Sequence, residues 1–424
     1  MSAAAPQLSV QTNELLLFFT LLQLTVIVLA GRLGGALARR WRQAAVVGEI
    51  VIGIALGPSL FGWLAPGAFN YVFHSAAPET LQMLSSLGLV LLMFQIGLEF
   101  EFKHLAHGPN RGAVLGVAAA CLLAPFVLGF LFGYRVAPLL SPRANPLHSA
   151  LFIATAFSIT ALPVLGRIML ELNIQRTALG VIAISAAAIN DVAGWLLLAL
   201  ITAVAAGAFD GGGYGLRLAL LGVYVVGCAM VLRPLLKRAV HRSNAQAGMS
   251  ANLIGALLSM VFLSAMATYK LGIFAIFGAF MIGVILFDEH ELVRAWRESI
   301  GTFVNVFFVP IFFTYTGLRT SIGGLDSSAA WGWCALIVAL ATVGKLGGGY
   351  LGARLCGRNH PEAAALGFMM NTRGLMELVV INVGLDLGVI SQQMFTMLVI
   401  MAVVSTVITT PALRHYLPRT GPPS

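Results

Sequence analysis

The chain has 424 residues, of which 59% are hydrophobic and 10% charged, with a formal net charge of +9 and a mean hydropathy of +0.91. A soluble globular domain has about a quarter of its residues charged, so this composition excludes one. The basic excess does not mark a nucleic-acid binder either, because Lys and Arg sort into the short connections between long apolar runs.

Those runs predict an all-α polytopic membrane protein. Thirteen hydrophobic spans are expected, at residues 13–38, 44–60, 82–100, 112–133, 149–171, 178–206, 215–236, 251–269, 272–287, 301–318, 330–354, 361–383 and 392–413. Some are short, which predicts tilted or broken helices. The N-terminus has no basic region followed by a small-residue cleavage site, so no removable signal peptide is expected. Cys121, Cys228, Cys334 and Cys356 lie within or beside apolar segments without metal spacing, and are read as packing residues.

Eighteen of the 25 basic residues fall on one set of alternate loops and five on the other. The positive-inside rule then predicts an external N-terminus and a cytoplasmic C-terminus, the arrangement that an odd number of spans requires. The two remaining basic residues, Lys345 and Arg373, lie inside predicted spans.

The halves echo each other. "LLMFQIGLEF" at 91–100 ends one span and "PIFFTYTGLRT" at 310–320 ends another seven spans later. Each is followed by one span, then by a polar-interrupted one: "ATAFSITALPVLGRIMLELN" at 154–173 and "GFMMNTRGLMELVVINVG" at 367–384. An odd offset puts the copies in opposite orientation, and inverted repeats with paired broken helices are the pattern of a secondary transporter. Chance likeness between hydrophobic helices is the alternative, against which the matched interruptions weigh.

In the fifth span Pro163 cannot donate an amide hydrogen and clashes with the carbonyl four residues back, freeing backbone near the hydroxyls of Thr155, Ser158 and Thr160. Carbonyl and hydroxyl oxygens suit hard cations; an ordinary kink is the plainer reading. The sixth span, "TALGVIAISAAAINDVAGWLLLALITAV" at 177–204, carries one carboxylate at its centre, Asp191. An ionised Asp there costs about 2.5–3.5 kcal/mol on insertion scales, so such a group is expected to be functional. Asn190 beside it can coordinate through its carbonyl oxygen but cannot titrate, and Ala186, Ala187 and Ala188 leave room for close approach. A structural ion pair between Asp191 and Lys345 is the alternative. In the twelfth span Asn371, Thr372, Arg373 and Gly374 come together. Gly374 permits local unwinding, and Arg373 is placed to offset helix ends, as a brace or as part of transport, with Glu377 one turn on as its partner.

With "TAFSITALPVL", "AAAINDVAGW" and "MNTRGLMELVVIN" in this order, the sequence resembles the cation:proton antiporter-2 family, and the last two motifs look most like the plant cation/proton exchangers. The resemblance covers residues 13–413 and implies thirteen helices in a homodimer. Its dimerisation scaffold would be 1–111 and 251–329, its transport core 112–206 and 330–413, and its linker 207–250, with a short tail at 414–424. It also implies that Asp191 binds the cation and the proton, with Asn190 beside it, and that Lys345 is a core lysine pairing with carboxylates. The implied home is a bacterial inner membrane. Two departures stand out: the sequence ends about eleven residues past its last span, without the cytosolic regulatory domain of many relatives, and it has one Asp where some have two.

The expected activity is exchange of Na⁺ or K⁺ for H⁺ without a cofactor. Proton and cation compete for Asp191, and if the carrier switches sides only when that group is neutralised, exchange is obligatory. One titrating carboxylate predicts an electroneutral 1:1 count, provided Lys345 stays protonated. A cation channel of the same fold is the nearest rival. An intramembrane aspartyl protease would need two carboxylates sharing a proton, and Asp191 has no such partner, so no enzyme is expected. His74, His104, His107, His148 and His290 fall in loops and are read as solvated.

Overall fold

A computed structural model describes residues 4–73, 78–99, 111–174, 177–205, 211–242, 250–271 and 275–417. Lys103, Arg176, Arg419, His74, His104, His107 and the ends of the spans expected at 82–100, 178–206 and 272–287 lie outside the described residues. Within them every regular element is helical. The first half carries α1 (Ala4–Arg40), α2 (Ala45–Ala55), α3 (Phe61–Leu64), α4 (Pro66–Phe73), α5 (Pro78–Leu98), α6 (Arg111–Leu140), α7 (Pro146–Ser158), α8 (Leu162–Glu171) and α9 (Ala178–Ala205). The second half carries α10 (Gly211–Gly227), α11 (Arg233–Arg242), α12 (Ala251–Lys270), α13 (Ala275–Ile285), α14 (His290–Trp296), α15 (Val309–Leu318), α16 (Ser328–Leu355), α17 (His360–Met370), α18 (Leu375–Asp386) and α19 (Gln392–Tyr416).

Among the described residues eight helices are long and apolar enough to cross a bilayer, or nine if the pair bent by 45° after Gly301 counts as one span. The other four of the thirteen expected spans are short or divided. Crossing a hydrocarbon core takes about 20 helical residues, whereas α2 and α13 have 11 each. The expected spans 149–171 and 361–383 are split into α7 with α8 and α17 with α18.

The chain divides into two compact units. The first comprises residues 1–92 and 298–323. Here α1 and α2 touch backbone to backbone, since a Cβ added at Gly48 would lie 2.0 Å from the Gly34 carbonyl oxygen. Only glycine allows that approach. Ile27, Phe69, Val72, Phe73, Leu81 and Ile311 form an apolar core, and the buried Gln23 amide donates to the Val72 carbonyl at 2.9 Å. Leu33 and Leu37 on α1 are exposed, as suits a surface solvated by lipid chains.

The second unit comprises residues 93–297 and 324–424. Its α16 starts at a serine cap, Ser327 Oγ accepting from Ala330 N at 3.1 Å. On one face of α16, Gly348 and Gly352 press on α6, where added Cβ atoms would meet the carbonyl oxygens of Ala120 and Gly116 at 2.5 and 2.6 Å. Gly349 meets α17 at Gly367 Cα. The "KLGGGYLG" run is thus a two-sided close-packing strip, and it seats Lys345 between α6 and α7. The cysteines are free thiols; Cys121, Cys228 and Cys334 are buried, while Cys356, expected to pack, is exposed. It sits past the last turn of α16, where the helix runs out. In the first half of α11, Arg233 and Lys237 both bond Asp288, at 2.8 and 2.6 Å.

Candidate functional site

The two broken helices meet at their breaks. In α7 the side chain of Asn145 accepts from Leu147 N at 2.9 Å and Pro146 fills the first turn, so the start is well specified. The helix ends at Ser158, and Ile159 is extended, with φ −70° and ψ 141°. Helix α8 restarts at Leu162, which puts Pro163 in a first turn, where a missing amide hydrogen leaves no bond unmade. The break therefore occupies residues 159–161.

The second break lies between α17 and α18. A capping box of Asn359 and Glu362 opens α17. At the break Gly374 has φ 153° and ψ −127°, a conformation that glycine adopts without strain. The breaks hold each other: Ala161 N donates to the Thr372 carbonyl at 3.0 Å, and Thr160 Oγ1 to the Met370 carbonyl at 3.4 Å.

Ending a helix inside the protein leaves its last carbonyls without amide partners and concentrates partial negative charge there. Two buried cations answer this at α7. Arg373 Nη1 donates to Ala156 O and Nη2 to Phe157 O, each at 2.9 Å. Lys345 Nζ donates to Ser158 O, and to Cys121 O at 3.1 Å. Arg373 also forms an ion pair with Glu377 at 2.9 Å, both residues being fully buried. The resemblance pairs Lys345 with carboxylates; here its hydrogen bonds go to main-chain carbonyls instead, because the open end of α7 supplies acceptors within reach.

Asn190 and Asp191 sit on α9, which packs on α7, α8 and α17. Both are buried, and among the described residues neither the Asp191 oxygens nor the Asn190 amide atoms have a hydrogen-bond partner. One turn on, Gly194 lies against the first break, where an added Cβ would be 2.7 Å from Ile159 Cγ1. Thr155, Ser158 and Thr160 are also buried. Their hydroxyl hydrogens go to main-chain oxygens: Thr155 to Leu151 at 2.9 Å, Ser158 to Ala154 at 2.8 Å or Leu122 at 3.0 Å, and Thr160 to Met370. Each keeps oxygen lone pairs for another ligand. Thr372 Oγ1 likewise donates to Met369 O at 2.8 Å. Among the described residues no three His, Cys, Asp or Glu side chains gather as a metal centre.

One residue the motifs did not flag is Thr406 on α19. Its hydroxyl accepts from Arg373 N at 3.1 Å and donates its single hydrogen to Arg373 O at 2.7 Å or Ala402 O at 2.9 Å. A side chain thus replaces the main-chain partners that Arg373 loses at the break. The signal was present: Ser405, Thr406, Thr409 and Thr410 mark one polar face of an apolar span, and all four are buried.

Residues 24–418 match the family described as "Sodium/hydrogen exchanger, transmembrane". The chain belongs to the sodium/hydrogen exchanger family. It is 39% identical over 409 residues to the Na(+)/H(+) antiporter NhaS4 of Synechocystis sp., covering 96% of this chain and 98% of that one. It is 36% identical over 397 residues to the Cation/H(+) antiporter 17 of Arabidopsis thaliana, covering 92% of this chain but 47% of the plant protein. The exchanger chain thus spans about half the length of that plant relative. In fold it is similar to the solved sodium proton antiporter MjNhaP1 of Methanocaldococcus jannaschii, with a TM-score of 0.59, 14% identity and coverage of 94% of this chain and 98% of that one. This exchanger is an integral, multi-pass membrane protein, and the family carries ions without a cofactor.

Proposed function

We propose that this exchanger trades a monovalent cation, Na⁺ or K⁺, for H⁺ through Asp191, with 1:1 electroneutral stoichiometry. The observation that carries the reading is a buried carboxylate with no hydrogen-bond partner among the described residues, set beside two interlocked helix breaks. A buried carboxylate needs a counter-ion or a proton. Either satisfies Asp191, and one excludes the other. Asn190 and the oxygens of Thr155, Ser158 and Thr160 complete the cation's oxygen shell, in keeping with hard-cation chemistry. Lys345, Arg373 and Glu377 keep the surrounding charge fixed while Asp191 turns over.

Transport then follows alternating access, in which the core of 112–206 and 330–413 moves as an elevator against a scaffold of 1–111 and 251–329, with 207–250 as linker. A homodimer formed through the scaffold would anchor that motion. The excess of basic residues on alternate loops supports a cytoplasmic C-terminus; the home proposed for the exchanger is a bacterial inner membrane, where such exchange serves pH homeostasis.

The test is a pH-gradient dequenching assay in reconstituted vesicles, titrated with Na⁺, K⁺, Li⁺ and Rb⁺. Wild type should dequench with its transported ion and Asp191→Asn should not; an undiminished response in the variant overturns the assignment. An imposed membrane potential should leave the wild-type rate unchanged, and a rate that follows the potential rules out the 1:1 count.

A further inference from the structure

A second amide stands where the two breaks meet. Asn371 caps α17, and its main-chain N–H is already bonded to Gly367 O at 3.1 Å and Phe368 O at 3.2 Å. Its side chain does no capping. It is fully buried, and among the described residues neither Oδ1 nor Nδ2 has a hydrogen-bond partner. Leaving a buried amide without hydrogen bonds is unfavourable, and ending a helix does not require it, since the glycine at 374 already provides the break.

Its neighbours locate it. Met370 and Thr372, on either side, both bond the first break through Thr160 and Ala161. That same break touches α9 through Ile159 and Gly194, one turn past Asp191. Helices α9 and α17 pack together and both follow loops of the basic set. Asn190 lies twelve residues after the start of α9 and Asn371 eleven after the start of α17, about 18 and 17 Å along at 1.5 Å per residue. The two unpartnered amides and the unpartnered carboxylate therefore lie at a similar depth on two helices that pack together.

We infer that Asn371 is a ligand for the transported monovalent cation, its Oδ1 supplying a neutral oxygen from the second break opposite Asp191. The inference rests on the exchange reading above and extends it: the ion is held between both breaks, and the neutral amide sets which alkali cation fits. A neutral oxygen adds affinity for the cation without adding a site for the competing proton.

The experiment measures cation-dependent exchange in phosphatidylethanolamine–phosphatidylglycerol vesicles for wild type, Asn371→Leu and Asn371→Ser, with Asp191→Asn alongside. Loss of a ligand to a charge predicts an apparent KM for the preferred cation about tenfold higher in Asn371→Leu, with Vmax within about twofold and an altered order among Na⁺, K⁺, Li⁺ and Rb⁺. The smaller Ser, which retains an oxygen, should recover part of the affinity. A purely helix-ending role predicts a lower Vmax and melting temperature with KM and ion order unchanged, and that result overturns the inference. Should Asn371→Leu not reach the membrane, Asn371→Ser decides alone, since an unshifted KM and ion order there also overturn it. If Asp191→Asn stops exchange while the Asn371 variants keep wild-type KM, only this inference fails; if Asp191→Asn still exchanges, the reading beneath it fails.

Discussion

The two helix breaks solve one problem in opposite ways. At the first, between α7 and α8, the chain carries no charge of its own and takes two cations from elsewhere, Lys345 from α16 and Arg373 from the second break. At the second, Arg373 is present but its side chain leaves, and the main chain there is held by the neutral hydroxyl of Thr406. The breaks are therefore not independent halves. The second can give away its arginine because a hydroxyl takes over its backbone, and the first can end abruptly because the arginine arrives. Such reciprocity ties together two segments more than 200 residues apart in the chain.

Removing the shared cation should hurt most. Arg373→Leu uncovers Ala156 O and Phe157 O and leaves the Glu377 carboxylate buried without its partner, and breaking a buried ion pair costs about 3–5 kcal/mol. The expected outcome is a large fall in melting temperature with loss of exchange. Arg373→Met combined with Glu377→Gln should regain much of the stability and none of the transport. If the double variant is no more stable than Arg373→Leu, the lone carboxylate was not the source of the damage.

Removing the hydroxyl should cost less. Thr406→Val keeps the shape but leaves Arg373 N–H and C=O unpaired, at about 1–3 kcal/mol, and Thr406→Ser should restore wild-type behaviour in both melting and exchange. Equal behaviour of Val and Ser would mean that α19 contributes only packing. Gly374→Ala should cost a similar or smaller amount, about 1–3 kcal/mol, because φ 153° strains any residue with a Cβ. Its melting temperature is the check, and an unchanged value would mean that the break tolerates another backbone path.

The smallest effect is expected at the contrasting, partly solvated ion cluster of Asp288. Partial burial works to raise the pKa of that carboxyl, but hydrogen bonds from Lys237 and Arg233 outweigh it and hold it below its usual value. A depressed carboxylate stabilises the fold above its unfolded pKa of about 3.9 and loses that contribution as pH falls through the lower folded value. The melting difference between wild type and Asp288→Asn should therefore be small at pH 7 and vanish on acidification. A difference that persists in acid would point to something other than ionisation.

Much of this was readable in the chain itself. The apolar runs, the isolated Asp191, the proline and glycine at 163 and 374, and the spacing of Arg373 and Glu377 each state a local fact, because hydrophobic length, ring closure and helical periodicity act over a few residues. Thr406 was harder to single out, since a threonine in an apolar helix usually bonds its own preceding turn, as this one also can. The main-chain acceptors of Lys345 are hidden from the sequence for a related reason. A sequence shows which charges are buried but not which carbonyls a broken helix leaves open beside them.

The sequence by itself determined that this is a helical membrane protein, that a carboxylate lies deep within it and that two spans are interrupted, because the cost of polar groups in hydrocarbon leaves few alternatives. Only the tertiary structure decided that the interruptions interlock, that α7 ends on the guanidinium of Arg373 and the ammonium of Lys345, and that Asp191, Asn190 and Asn371 keep polar atoms without partners among the described residues. Those are outcomes of long-range packing, where each buried donor takes whichever acceptor the fold brings within about 3 Å, and no local stretch of sequence encodes that choice.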